Sequence, residues 1–317
     1  MYPIKFKNLY YEKIWGGRDL GEFRDNLPGG NIGESWDIAC HSNGMSIVEN
    51  GKLKGKRFDE LIKEYGKELL GESFDGGEFP LLVKLINSKE KLSVQVHPND
   101  EYAKRIENSL GKTEAWYVVE AKKGASIIVG TKDCDKEIFK KAIEEGRTEE
   151  YLNKIQVKKG DCFLINSGLV HAICEGVIIA EIQQNSDITY RIYDYGRPRE
   201  IHVEKALDVI DFDLKAINAS ENKLDEFYGY SKGVLCDSEY FIIEKYIINE
   251  ILREESNTSK FYIFTCVDGY GIITSEDGTI VKIHKGDSIL IPAALGKYAI
   301  EGRITLLKSY IKNKRNS

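Results

Sequence analysis

Apolar residues recur along this chain with two periods. Over 92–98, Leu-Ser-Val-Gln-Val-His-Pro, the period is two, so Val94 and Val96 share one face of a strand and Gln95 and His97 the other. The apolar run Leu81-Leu-Val-Lys-Leu-Ile86 predicts a buried strand interrupted by a single lysine, Lys84. Helical spacing occurs elsewhere. Phe58, Leu61, Ile62, Tyr65 and Leu69 predict a helix over about 57–70, with Gly71 just past its end. Asn99 as N-cap, followed by Asp100 and Glu101, predicts a short helix over 99–108 that Gly111 ends. Residues 135–155 read as two helical pieces. The first carries Ile138, Phe139, Ala142 and Ile143; the second is capped by Thr148 and packs Tyr151, Leu152 and Ile155. Ala206, Leu207 and Ile210 predict a last helix near 203–210.

The remaining periodic stretches are strands. They fall at 111–120, 126–129, 162–165, 177–182 and 188–193, then at 239–248, 260–267, 271–275, 279–284, 288–291 and 303–311. Many short strands joined by glycine turns predict a mostly β fold of the sandwich or jelly-roll kind, with several helices in the N-terminal part. Residues 215–232 are polar and turn-rich and read as the linker. The expected division is a catalytic part, 1–222, and a second β domain, 223–317.

Composition narrows the function without naming it. A net charge of −6 over 317 residues argues against a nucleic-acid partner. No apolar run is long enough for a membrane span, and the N-terminus lacks the apolar core of a secretory leader. Six cysteines, none in a C-x-x-C pair and several inside apolar runs, read as reduced core thiols of a cytoplasmic protein.

One repeat is visible. Lys159-Gly-Asp-Cys-Phe-Leu-Ile-Asn-Ser-Gly-Leu-Val-His171 parallels Lys285-Gly-Asp-Ser-Ile-Leu-Ile-Pro-Ala-Ala-Leu-Gly-Lys297. In both, a Gly-Asp turn launches a four-residue buried strand, which predicts two copies of one β-module. His171 is matched by Lys297, and the second copy has no Gln-x-His. The first module is therefore expected to carry the chemistry, with the second metal-free.

The stretch from Gly160 to His171 resembles the second motif of the cupins, and Gln95-x-His97 their first, with Gln in place of a histidine. A glutamate usually follows closely; here a predicted helix intervenes, which makes Glu114 the candidate. The stretches VKLINSKEKLSVQVHPND, GKTEAW, INSGLVHAI and QQNSDITYRIYDYGR, together with Ile14–Gly17 and Ile32–Trp36, resemble the type I mannose-6-phosphate isomerases in their short bacterial form. The resemblance spans essentially the whole chain. It implies two cupin-like jelly-roll modules and a zinc-dependent aldose–ketose isomerase interconverting mannose 6-phosphate and fructose 6-phosphate.

On that resemblance, Gln95, His97, Glu114 and His171 are the expected ligands of one Zn(2+) per chain. Two imidazoles and a carboxylate suit zinc. Gln95 is the natural weak member, as a ligand or as a residue that holds one. The resemblance also places Arg191 in the active site. An arginine stays protonated, so polarising an oxygen suits it better than acting as a base. Lys112, two residues before Glu114, shares its strand face and could move protons or bind phosphate. Lys84 would be costly to bury without a purpose; both lysines are candidates for substrate binding or proton transfer. A water held by the metal competes as the base. His41, His202 and His284 lie outside the motifs and read as structural or surface residues.

Two other readings use the same residues. An Fe(II) cupin oxygenase would use the two histidines and the glutamate as a facial triad. A non-enzymatic sugar-phosphate-binding cupin would bind the hexose phosphate without turning it over. The sequence is compatible with a monomer or a weak homo-oligomer.

Overall fold

The computed structural model describes residues 1–220 and 222–312. Three β-sheets account for most of it. A seven-stranded sheet has at its centre Cys162–Ile165, Glu114–Ala121, Val177–Gln184, Leu81–Ser88 and Ile32–Ile38, in that order. A five-stranded sheet runs Leu152–Gln156, Ser126–Thr131, His171–Ile173, Val94–Val96 and Tyr190–Tyr193. A nine-stranded sheet holds the C-terminal strands and recruits Ile4–Lys5 from the N-terminus, which pairs with Ile289 and Leu290.

Alternation along each strand decides what lies between the sheets. Ile86, Trp116, Val118, Phe163, Ile165 and Ile179 of the seven-stranded sheet pack against Ile127, Val129 and Ile173 of the five-stranded one. Val94 and Val96 face the opposite way, under Phe139 of helix α3 (Lys136–Glu144) and Ala206 and Leu207 of helix α4 (Val203–Val209). This is the expected division of the 92–98 stretch, although its paired part is only three residues long. The other face of the seven-stranded sheet buries Leu81, Val83, Leu85 and Ala180 against Phe241, Ile243, Phe261 and Ile263, and against helix α1 (Phe58–Leu70). Gly71 ends α1 as expected. A Cβ there would lie 2.3 Å from the Lys260 nitrogen, so the close approach of this turn to the C-terminal strands requires glycine.

Three expectations about local structure are corrected, and one strand was not expected. Helix α2 (Asp100–Glu107) starts as predicted, with the Asn99 side chain accepting from the Tyr102 N–H at 2.9 Å, but it ends at Asn108 in the left-handed conformation. Gly111 serves another purpose, because a Cβ on it would lie 2.5 Å from the Asp100 nitrogen. Its N–H donates to the Asp100 carboxylate at 2.8 Å, and Lys112 N–H donates to the Pro98 carbonyl at 3.0 Å. The helical excursion thus closes on its own start. The second half of 135–155 is not a helix: a single 3-10 turn, Thr148–Tyr151, leads into the strand Leu152–Gln156, which pairs with Ser126–Thr131. A three-residue strand, His171–Ile173, is too short to show as a pattern in the sequence. Within 215–232 lie the short strands Ile217–Asn218 and Asp225–Phe227 and the start of Tyr230–Asp237. Residue 221 of that stretch is outside the described residues.

The repeat is reproduced bond for bond. Gly160 and Gly286 have φ of +93° and +92°. Asp161 accepts from the Lys158 N–H and Asp287 from the His284 N–H, each at 2.9 Å. The strands they launch pair in matching register, Ile165 with Glu114 and Ile291 with Tyr262. All six cysteines are free, and four of them are buried. Among the described residues, no helix is long and apolar enough to cross a membrane.

Candidate metal centre and sugar cavity

The five-stranded sheet presents a row of polar side chains to the interior because three adjacent strands are in register. His171 pairs with Gln95, and Gln95 with Arg191. The seven-stranded sheet opposes it with a second row, in which Trp116 pairs with Glu181, Glu181 with Lys84 and Lys84 with Trp36. Between the rows is a cavity of about 490 Å³, lined among others by Lys84, Gln95, Lys112, Trp116, Glu181 and Arg191.

Gln95 and Lys112 form its floor, and directly behind them His97, Glu114 and His171 bring one donor atom each to within 4.8 Å of one another, all three buried. The loop that closes at Pro98 sets Glu114 beside His97 despite the helix between them. Each imidazole has its Nδ1 against a backbone carbonyl: His97 at 2.7 Å from Ile188 O, and His171 at 2.8 Å from Leu169 O. With Nδ1–H donating there, both Nε2 atoms turn their lone pairs inward, 3.1 Å apart. The Gln95 amide reaches His171 Nε2 at 3.3 Å. Trp116 stacks edge-on against the His171 ring.

The electrostatics favour a cation here. Burial, reinforced by the nearby Lys112 charge, holds His97 down to about 3, and burial lowers His171 as well. Both imidazoles are therefore neutral. Burial alone would raise Glu114, but its neighbours, the Lys112 charge foremost, more than offset it and keep the carboxylate well below its usual range. Lys112 Nζ donates to Glu114 Oε2 at 2.6 Å and lies 3.0 Å from His97 Nε2. Its ammonium stands in for a cation among these donors. Glu114 Oε1 is buried with no hydrogen-bond partner among the described residues, 3.5 Å from His171 Nε2. Neutral imidazoles, a carboxylate with an unused oxygen and an amide in reach form a donor set that fits a divalent metal.

Beyond the floor, acids and bases alternate. Lys112 is 3.8 Å from Glu181, Lys84 is 2.9 Å from Glu181 and 3.8 Å from Glu34, and Lys13 is 3.3 Å from Glu34. Burial would lower Lys84, but Glu181 and Glu34 outweigh it and raise it, so its charge is fixed. Glu181 is raised by burial and by Glu114, and accepts from Trp116 Nε1 at 2.8 Å. Arg191 donates to Ser93 Oγ at 3.3 Å and to the Glu200 carbonyl at 2.7 Å. Every site residue expected from the sequence thus borders the floor or the cavity. Of the other histidines, His202 braces Arg191 by accepting from its backbone N–H at 3.2 Å, His41 lies 3.8 Å from Asp187, and His284 is exposed. The sequence reading missed Glu34 and Glu181. Glu181 had a usable signal: it is the lone acid in the apolar strand Val177–Gln184, as Lys84 is the lone base in Leu81–Ser88.

Residues 4–139 match the model of the phosphomannose isomerase type I catalytic domain, and residues 232–311 that of the mannose-6-phosphate isomerase cupin domain. The chain is 37% identical to a mannose-6-phosphate isomerase of Bacillus subtilis, covering 98% of this chain and 99% of the relative. It is 38% identical to the mannose-6-phosphate isomerase of Streptococcus mutans, covering 97% and 98%. The crystal structure of a mannose 6-phosphate isomerase from Bacillus subtilis superposes with a TM-score of 0.91, at 36% identity and 98% and 99% coverage. With relatives this similar along nearly its whole length, the chain belongs to the type I phosphomannose isomerases and is an enzyme of that family.

Proposed function

We propose that the chain interconverts mannose 6-phosphate and fructose 6-phosphate through a cis-enediol intermediate and depends on one Zn(2+). The observation that carries this reading is the convergence of His97, Glu114 and His171, with Gln95 beside them, just behind the floor of a cavity that also presents Lys84, Lys112, Glu181 and Arg191. Gln95, His97, Glu114 and His171 would hold the metal. One carboxylate among four donors leaves a dication with a formal charge of +1, so it supplies Lewis acidity toward negative charge developing on the sugar oxygens.

The remaining steps belong to side chains. Arg191, a permanent cation held by Ser93 and the Glu200 carbonyl, polarises a sugar oxygen as the carbanion forms. Lys84, charged throughout, binds and orients the sugar. Lys112 Nζ lies between Glu114 and Glu181; once its ammonium has passed a proton to Glu181, 3.8 Å away, its amine takes the proton from one carbon and returns it to the next, and Glu181 then gives its proton back. Trp116 and the buried strands around it keep water from the floor of the site. A cytoplasmic setting belongs to the same proposal and suits six free thiols.

The test is direct. The protein is incubated with mannose 6-phosphate in deuterated water, with and without a chelator, and fructose 6-phosphate and deuterium at C2 or C1 are measured. The expected result is conversion with exchange, lost on chelation and restored by zinc. No conversion after zinc repletion overturns the reading.

A further inference from the structure

The two sides of the cavity differ in charge balance. On the seven-stranded side, Lys13, Lys84 and Lys112 are matched by Glu34, Glu181 and Glu114. On the other side stand three arginines, Arg191, Arg197 and Arg199, and one buried carboxylate, Asp194, which Arg197 and Arg199 share. Asp194 accepts from Arg197 Nη2 at 2.7 Å, and from Arg199 at 2.7 Å (Nε) and 2.6 Å (Nη2). Arg197 is tied further to the Lys91 carbonyl at 2.8 Å and does not line the cavity; Arg191 and Arg199 do. Asp187, the other acid lining the cavity, accepts from the neutral Asn43 amide and keeps its charge, and the Glu200 carboxylate is exposed, so the three arginines still outnumber the two acids. Arg199 Nη1 and Arg191 Nη2 have no protein acceptor among the described residues. The excess is felt: burial lowers Arg191, and the Arg199 charge lowers it further.

An anion placed between Arg191 and Arg199 relieves that repulsion, and two guanidinium forks match the geometry of phosphate oxygens. Arg191 is also the direct cross-strand neighbour of Gln95, so the pair begins one strand spacing from the candidate metal ligands. A hexose phosphate with its carbonyl end at the floor has its phosphate four carbons further along the cavity. We propose that Arg199 anchors the phosphate dianion of the substrate and that Asp194 holds the Arg199 fork toward the cavity, while Arg191, nearer the floor, keeps its contact with the sugar oxygen and adds its charge to the field on the phosphate. This rests on the hexose-phosphate reading above; it places the phosphate on the arginine side and leaves the charge-balanced lysines to the sugar hydroxyls.

The experiment has two arms that fail independently. Calorimetry measures inorganic phosphate binding to the zinc-loaded wild type, Arg199→Gln and Arg199→Lys, and steady-state kinetics with mannose 6-phosphate gives KM and kcat for each. The loss of a charge-assisted contact predicts that Arg199→Gln raises both the phosphate Kd and KM about 10- to 100-fold, with kcat changed less than about threefold. Arg199→Lys keeps a charge for Asp194 but loses the fork, and falls between. Should Arg199→Gln fail to fold, Arg199→Lys decides alone: a severalfold weaker phosphate affinity supports the proposal. Unchanged phosphate affinity and KM in a folded variant overturn it. A wild type that binds phosphate through Arg199 but does not isomerise overturns the functional reading and leaves the anion site standing.

Discussion

Gln95 and Arg191 are direct cross-strand partners, yet their side chains turn to different partners. Gln95 reaches His171 Nε2 at 3.3 Å, whereas Arg191 turns to Ser93 and the Glu200 carbonyl. Replacing each should therefore separate metal binding from turnover. Gln95→Ala is expected to weaken zinc binding about 10- to 100-fold, the usual effect of removing a weak ligand or the group that orients one. Arg191→Ala is expected to keep its zinc and lose about 100- to 1,000-fold in kcat. Zinc content after dialysis against graded chelator, measured with kcat on the same samples, checks both. A normal rate for Arg191→Ala removes it from the mechanism.

The Lys112–Glu114 pair yields a second prediction. Both side chains are buried, and their contact is 2.6 Å. Removing one member of such a pair leaves an uncompensated charge, which costs about 3–5 kcal/mol. In the metal-depleted protein Glu114→Ala should approach that loss, reduced to the extent that Lys112 swings to Glu181, 3.8 Å away. Lys112→Met with Glu114→Gln should recover most of it. Lys112→Met alone should bind zinc more tightly than wild type, since an ammonium beside a dication repels it. Urea unfolding of the depleted proteins and competitive zinc titration check the two halves.

Acid stability follows from the buried imidazoles. His97 stays neutral in the folded chain down to about 3, while an unfolded imidazole protonates near 6.5. Between these values the unfolded chain binds the extra proton, so stability is full above about 6.5 and falls as pH drops toward 3. His171 adds to the same slope. Glu34 acts lower: burial would raise it, but Lys84 and Lys13 hold it at about 2, so its contribution is intact above about 4.5 and is lost as pH falls toward 2. In metal-depleted protein, His97→Gln should flatten the decline between about pH 6.5 and 3, leaving the share of His171 and, below about 4.5, that of Glu34. Urea midpoints across this range read the difference.

What the sequence showed depended on how local the determinant was. The alternation of Val94, Gln95, Val96 and His97 and the Gly-Asp turns at 160–161 and 286–287 are set by neighbours along the chain, and both appear as read. Leu152–Gln156 is a strand because Ser126–Thr131 lies beside it; its own exposed residues show no alternation, and the preceding helix made its two apolar positions look helical. Gly111 looked like a helix stop because its real constraint, contact with Asp100, arises only once the chain has turned back. Glu34 and Glu181 gain meaning only through register with Lys84 and its neighbours. Arg199 sat in a polar turn, where an arginine is ordinary.

The same register argument explains why the C-terminal module should not affect catalysis. Ile165 pairs with Glu114 where Ile291 pairs with Tyr262, and Trp116 pairs with Glu181 where Phe264 pairs with Lys308. Tyr262 thus occupies the position of Glu114, and Lys308 that of Glu181. Lys308 is buried, bonded to Glu254 at 2.7 Å and 4.0 Å from the centre of the Tyr262 ring, and the Tyr246 and Tyr298 hydroxyls complete the Glu254 shell. This cluster fills the interior of the second module with an internal cation. Lys308→Met should therefore cost about 3 kcal/mol, because Glu254 keeps its charge but loses its only lysine partner among the described residues. Lys308→Met with Glu254→Gln should regain much of that loss. Neither should change zinc content or kcat/KM at a temperature where the variant is folded. Thermal unfolding read beside zinc content and kinetics checks this; a variant stable as wild type, or one that sheds zinc while folded, contradicts the assignment of this cluster to folding alone.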